Sequence, residues 1–299
     1  MNTIIDIIGA GGAGGFLASA LYKGGLRPRI IARGALLQRL REAGLTIISD
    51  NQSRNYTPIS CQALDDVQQL SPLVLLTAKS YDIPRLLEEL APRTTEDTLF
   101  ITIQNGFAAH DMVSKMFEAG RTVMGVLYVS AQIISPAVID VKPGIAQLFL
   151  PEEYERQLLP VVDALCAGGV EVGLVDDIER RMWIKQIFLV PFAIINAEMR
   201  QPIGKVSQDA EARKRWAAIA EEIATVAHAC GIKLPRDAVA MSLLKAEHFD
   251  PLADSSFARD VWANRPHEAE ALFGPLLERA RQHDLNCPLL QQAYKHYVQ

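Results

Sequence analysis

An α/β fold, a Rossmann-type doubly wound parallel sheet followed by an all-α C-terminal domain, is predicted by three features of this 299-residue sequence. Short, continuously apolar runs alternate with helical patterns through the first half. A glycine cluster joins the first of those runs to the first helix. Beyond residue 177 only helical periodicity is left. Strand candidates fall at 3–8, 29–32, 73–77, 99–103 and 123–127, and their continuous apolarity is that of parallel strands covered on both faces. Helical patterns at 14–23, 36–43, 84–90 and 108–118 separate them, the repetition expected of a doubly wound sheet. Two more strand-like runs, 145–150 and 170–175, flank a helix at 153–166. In the second half Trp216, Ile219, Ala220, Ile223, Val226, Ala227 and Cys230 form one helical stripe, and Gly231 supplies the stop. The domain boundary is placed at residue 176, giving a nucleotide-binding domain over 1–176 and a helical substrate and dimerisation domain over 177–299.

Composition excludes several classes. A net charge of -5 argues against nucleic acid as a partner, since its binders present a basic face. Cys61, Cys166, Cys230 and Cys287 are scattered, with no C-x-x-C pair, so neither a disulfide framework nor a metal site is expected. The first apolar run is broken by Asp6 and is unlike a signal peptide. The longest apolar stretch, 187–195, holds Pro191 and is half the length of a membrane span, so no membrane association is expected and the cytoplasm is the default.

Gly9-Ala10-Gly11-Gly12-Ala13-Gly14 is a G-x-G-x-x-G that leaves a strand and opens a helix, the context in which such a cluster binds a dinucleotide. Gly9 permits the turn, Gly11 lets the backbone approach a pyrophosphate, and Gly14 lets helix and strand pack closely. The helix N-terminus, with Gly12 and Ala13, supplies N–H groups and partial positive charge. The second strand ends at Arg33 rather than the acidic residue that would take a ribose 2′-hydroxyl. A guanidinium there suits a 2′-phosphate, so NADP(H) is favoured, although a solvated strand-end arginine reads the same way. Lys79 and Asn105 stand at the ends of the third and fourth strands, where ligands of open α/β sheets bind; each is also compatible with an ordinary surface residue or turn.

With these elements in order, the sequence resembles the ketopantoate reductase (2-dehydropantoate 2-reductase) family along essentially its whole length. The resemblance runs through the glycine motif, Ala32-Arg33-Gly34, Ala78-Lys79-Ser80-Tyr81-Asp82 and Gln104-Asn105-Gly106. It continues through Trp183-Ile184-Lys185, Ser255-Ser256 with Asp260, and Arg265-Pro266-His267-Glu268. It implies Lys185 as general acid with Glu268 as its carboxylate partner, and Asn105 and Ser256 as substrate-orienting residues. Gly9, Gly11, Gly14, Arg33 and Lys79 would then face NADP(H). Lys185 lies among Met182, Trp183, Ile184, Ile187 and Phe188, where a charge needs a reason; a stem that snorkels to water is the bland alternative. Glu268 has one too, as an acidic residue in a helix's first turn behind Pro266.

The match departs on the substrate side. The family follows its lysine with asparagines four and eight residues on, where Leu189 and Ala193 stand here. Asn196 is the nearby polar candidate for substrate binding. Losing amides that pair with a substrate hydroxyl should weaken ketopantoate recognition. The expected substrate is therefore ketopantoate or a more apolar 2-oxo acid. A non-catalytic NADP-binding regulator and an opine or hydroxy-acid dehydrogenase are the competing readings. The apolar helical runs 187–195 and 216–230 suit either a core or a homodimer interface.

Overall fold

The structure is a computed structural model that describes residues 5–298, so the first two positions of the predicted 3–8 strand lie outside the described residues. The chain forms two compact units. One comprises residues up to Gln104 together with Ala109–Ile178; the other comprises Asn105–Ala108 with Glu179 onward. That Asn105–Ala108 sides with the helical unit is invisible to a linear reading.

In the first unit the elements are β1 (Ile5–Ile8), α1 (Gly12–Lys23), β2 (Arg29–Ile31), α2 (Gly34–Ala43), β3 (Leu45–Ser49), β4 (Gln52–Tyr56), β5 (Ser60–Gln62), β6 (Leu73–Leu76) and α3 (Ile83–Leu90). They continue with β7 (Leu99–Thr102), α4 (Ala108–Phe117), β8 (Thr122–Met124), β9 (Val126–Tyr128), β10 (Ala131–Ser135), β11 (Val138–Val141), β12 (Gln147–Pro151), α5 (Glu155–Ala167) and β13 (Glu171–Val175). Six of the strands form a parallel sheet in the order β5-β2-β1-β6-β7-β8. The order reverses between β1 and β6, in register at Ile8 and Leu76, so the segments leaving these two strands flank the crevice where such sheets take ligands. Ile5 and Ile7 enter one buried cluster and Ile8 another. Burial on both faces is why these strands read as unbroken apolar runs.

Asp6, which interrupts the first run, is fully buried. Its carboxylate accepts from Arg29 Nε and Nη2, both at 2.7 Å, and from the Ser71 backbone N–H at 2.7 Å. The interruption is a satisfied ion pair joining β1, β2 and the entry to β6.

Two features of the first unit correct the linear reading. The predicted strand 123–127 is two strands. At Gly125 the chain leaves the six-stranded sheet, its N–H donating to Thr102 O at 2.7 Å, and β9 joins the three-stranded sheet β13-β12-β9. A four-stranded sheet, β10-β11-β3-β4, was not anticipated at all. Its β4 is QSRNY, exposed at every position but the last, and so carries no alternating apolar pattern to detect.

The second unit contributes α6 (Ile178–Met199), α7 (Ile203–Val206), α8 (Ala210–Ala229), α9 (Ala238–Glu247), α10 (Ser256–Trp262), α11 (Ala269–Gln282) and α12 (Pro288–Val298). Among the described residues it holds no strand, as the periodicity predicts. α8 starts on Asp209, whose carboxylate accepts from Ala212 N at 2.8 Å. It ends in a Schellman motif: Gly231, at φ +81°, donates to His228 O and Ile232 donates to Ala227 O. Among the described residues α6 alone is long and apolar enough to cross a membrane, but 78% of its most apolar window is buried inside the protein. It is a core helix.

Candidate active site

The glycine loop divides its tasks by residue. Gly9 takes φ +88°, which a side chain would strain. A Cβ on Gly14 would collide with Thr77 Oγ1 and Gly9 O, and one on Gly12 with Ala131 O, so these glycines let α1 lie against the ends of β6 and β10. Thr77 closes the arrangement, its hydroxyl donating to Gly9 O and its N–H to Ile8 O at 3.0 Å. A Cβ on Gly11 would meet only the tip of Ile133, at 3.8 Å. The backbone is therefore open at Gly11 and closed at its neighbours, the shape a pyrophosphate needs. Gly11 is also the N-cap of α1. It supplies no side chain to satisfy the first N–H groups, and no acidic residue occupies the first turn to repel a phosphate. A dinucleotide fits this cradle.

Arg33 is the N-cap of α2, exposed at the end of β2. Its Nη2 donates to Asp82 Oδ1 at 3.2 Å. Asp82 closes the 78–82 motif but has no role legible in the sequence, because nothing in the spacing shows that the segment after β6 returns to the end of β2. Lys79, half-buried, leads into that segment. Gln104 Nε2 donates to Leu76 O at 3.0 Å and to Ala78 O at 3.1 Å, tying the ends of β6 and β7 together just before Asn105.

The remaining candidates belong to the helical unit. Asn105, half-buried, begins the short segment that this unit incorporates. The segment is anchored by Phe107, whose ring packs on Trp183 at 4.9 Å between centroids and under the Arg279 guanidinium at 4.4 Å. Two residues past Trp183, on α6, is Lys185. It is buried, and desolvation, followed by the charge of Lys245 on α9, lowers its pKa to about 7. Gln186 beside it is also fully buried. One turn along, Phe188 packs with Phe192, Trp216 and Phe249. Leu189 is half-buried and Ala193 fully buried, so the two positions without asparagine are apolar in place as well as in kind.

For Asn196 the structure supplies a correction. The residue is fully buried. Its Nδ2 donates to Gln201 O at 2.8 Å and Asp254 Oδ1 at 2.9 Å, and its Oδ1 accepts from the Ser255 N–H at 2.8 Å and Ser255 Oγ at 3.0 Å. With both ends of its amide engaged, it braces the chain rather than reaching for substrate. Ser255 in turn caps α10, accepting from Ala258 N at 3.1 Å, and this presents Ser256, exposed, as the helix's first residue. Asn196→Ala is expected to cost about 1–3 kcal/mol of stability by orphaning those groups, read from chemical denaturation. Glu268 is the N-cap of α11, half-buried, and its carboxylate makes no capping bond to the helix. Pro266 precedes the helix rather than opening it. Among the described residues no cluster of three or more His, Cys, Asp or Glu could hold a metal ion.

The first unit thus sets a glycine cradle at the switch point of a six-stranded sheet, and the second is a helical unit with a buried lysine. The chain matches the family described as ketopantoate reductase PanE/ApbA over residues 5–152, and that family's C-terminal part over 177–297. It belongs to the ketopantoate reductase family. It is 24% identical to a 2-dehydropantoate 2-reductase from Mesorhizobium japonicum, over 96% of this chain and 94% of that one. Among solved structures it is similar to D-mandelate dehydrogenase in a ternary structure with NADH and anilino(oxo)acetate. There the TM-score is 0.88 and the identity 20%, over 97% and 96% of the two chains. It is also similar to a dimeric ketopantoate reductase from Staphylococcus aureus, with TM-score 0.81 and 21% identity over 98% and 96%.

Proposed function

We propose that this protein reduces a 2-oxo acid to the 2-hydroxy acid with a hydride from NADPH, and that Lys185 is the proton donor. The observation that carries the reading is a buried lysine whose pKa has been brought to about 7. A lysine with an ordinary pKa holds its proton too firmly to be a good acid at neutral pH, whereas one matched to the operating pH both donates and recovers it. The nicotinamide supplies the hydride. As the ketone oxygen gains negative charge, the Lys185 ammonium stabilises it and delivers the proton to that oxygen. Asn105 and Ser256 orient the acid, Glu268 serves as the carboxylate partner of Lys185, and the glycine loop, Arg33 and Lys79 hold the cofactor. Leu189 and Ala193 support ketopantoate or, by preference, a more apolar 2-oxo acid. The likeness to a D-mandelate dehydrogenase fold is in keeping with that preference. The enzyme is read as a cytoplasmic homodimer.

Loss of NADPH absorbance against ketopantoate and a panel of aliphatic and aromatic 2-oxo acids tests the reading. Tight NADPH binding with no turnover on any member would favour a non-catalytic regulator instead. NADPH is proposed over NADH on Arg33, and one observation favours the opposite choice: Asp82, bonded to Arg33, already sets a carboxylate against the guanidinium that would take a 2′-phosphate. Arg33→Ala is expected to weaken NADPH binding by about 10- to 100-fold, the worth of a charge-assisted hydrogen bond, with little change for NADH. Asp82→Asn should shift preference the other way. Equal losses for both cofactors in Arg33→Ala would make NADH the physiological partner.

A further inference from the structure

We infer that Ile133, on β10, is a cofactor-binding residue, the apolar wall beside the pyrophosphate of a dinucleotide held in the glycine cradle. The inference rests on the dinucleotide part of the reading above. It adds to that reading a residue from the four-stranded sheet, to which no motif of the sequence points.

β10 and β11 lie along α1. On β11, Ile139 is only 1% exposed, and its tip occupies the space where a Cβ on Gly15 would stand. Ile133 is the direct partner of Ile139 in the antiparallel ladder, so both side chains leave the sheet on the same face. Gly11 lies one helical turn before Gly15, whose N–H donates to Gly11 O at 2.8 Å. The two pairs are therefore stacked along the helix. Ile139 sits on Gly15, and Ile133 stands by Gly11, its Cδ1 3.8 Å from the position of a Gly11 Cβ. What differs is cover. α1 runs from Gly12 and lies over the first isoleucine but starts too late to lie over the second, which is left 49% exposed. Its place is fixed all the same. Ala131 O abuts Gly12, and the regular ladder ends at Ile133 with a register shift before Ser135, a bulge that bends the strand away from there.

An isoleucine on the packed face of a sheet, left half in water, gains from a ligand that fills the space beside it. Here that space is the end of α1, where the open backbone of Gly11 and the first N–H groups suit a pyrophosphate. The diphosphate meets amide donors on one flank and Ile133 on the other, with the ribose C5′ methylenes as apolar partners for the isoleucine. Excluding water from that flank strengthens the hydrogen bonds that the helix end donates. NADPH and NADH share this pyrophosphate, so the contact adds affinity without choosing between them, whereas Arg33 is the residue proposed to choose.

The test uses Ile133→Ala, Ile133→Asp and Ile133→Lys, with calorimetric titration of NADPH and of NADH, a readout independent of turnover. Because the side chain is half in water, the cofactor-free Tm of each variant should stay close to that of wild type. Ile133→Ala is expected to weaken both cofactors alike, by about 3- to 10-fold. Ile133→Asp sets a carboxylate beside the phosphates and should weaken both by about 30- to 100-fold, whereas Ile133→Lys should bind at least as tightly as Ile133→Ala. Unchanged affinity in Ile133→Ala, equal losses in the Asp and Lys variants, or a loss confined to NADPH overturns the assignment and leaves the reductase reading intact. Wild-type protein that binds neither cofactor overturns both.

Discussion

Lys185→Met is expected to reduce kcat for 2-oxo acid reduction by about 10²–10⁴-fold, the usual contribution of a positioned general acid, while NADPH binds as before. Because the acid must carry its proton, wild-type kcat/KM for reduction should fall as pH rises through about 7, and oxidation of the hydroxy acid should rise over the same range. Removing the repelling charge in Lys245→Met should move both transitions to higher pH. The same lysine has the opposite effect on stability. Its pKa is lower folded than unfolded, so between about 7 and the ordinary lysine value of 10.5 the unfolded chain binds more protons, and stability rises with pH across that window. Below about pH 7 the full penalty of a buried charge applies. Lys185→Met should therefore raise Tm, more below pH 7 than near pH 10, even as it abolishes activity. A variant that lost both stability and turnover at every pH would show Lys185 to be a structural residue.

Arg29→Met is expected to destabilise the protein by about 3–5 kcal/mol, a large part of the about 5–15 kcal/mol that holds a typical domain folded. The reason is what it leaves behind. Asp6 has no exposed surface, and with Arg29 gone its carboxylate keeps the Ser71 N–H but loses both guanidinium bonds. The companion Asp6→Val in the Arg29→Met background should recover most of the loss, since two apolar side chains carry no desolvation cost. Chemical denaturation of the single and double variants measures both. If Arg29→Met costs less than 1 kcal/mol, the pair is not the buried tie described for β1 and β2.

What the sequence made legible was whatever lies close along the chain. β1, β2, β6, β7 and β8 show as apolar runs because both their faces are buried, whereas β5, a polar and partly exposed SCQ at the sheet edge, shows no such run; α8 shows through its stripe, its Asp209 cap and its Gly231 stop. The glycine loop is readable because its chemistry needs consecutive residues. What escaped detection depends on distant segments meeting. Gly125 splits one apolar run between two sheets, and β4 has no apolar side to announce it. Asp6 looks like a flaw in a strand until Arg29 is seen beside it. Asn196 looks like a ligand to substrate because it is the polar residue nearest the Leu189 and Ala193 positions in sequence, yet its bonds go to residues 201, 254 and 255. Lys245 sits 60 positions from Lys185 with no motif around it, and only the packing of α9 against Phe188 brings it into view.

The allegiance of Asn105–Ala108 to the helical unit bears on how this gene can be cut and recombined. A fragment starting at residue 177 has every helix from α6 to α12 but lacks the peg, Phe107, that fills the slot between Trp183 and Arg279. Such a fragment would carry an aromatic-sized hollow beside Trp183, two residues from Lys185. Chimeras that exchange helical halves between relatives must therefore carry the 105–108 segment along with them, as a tongue of sequence borrowed from the other half.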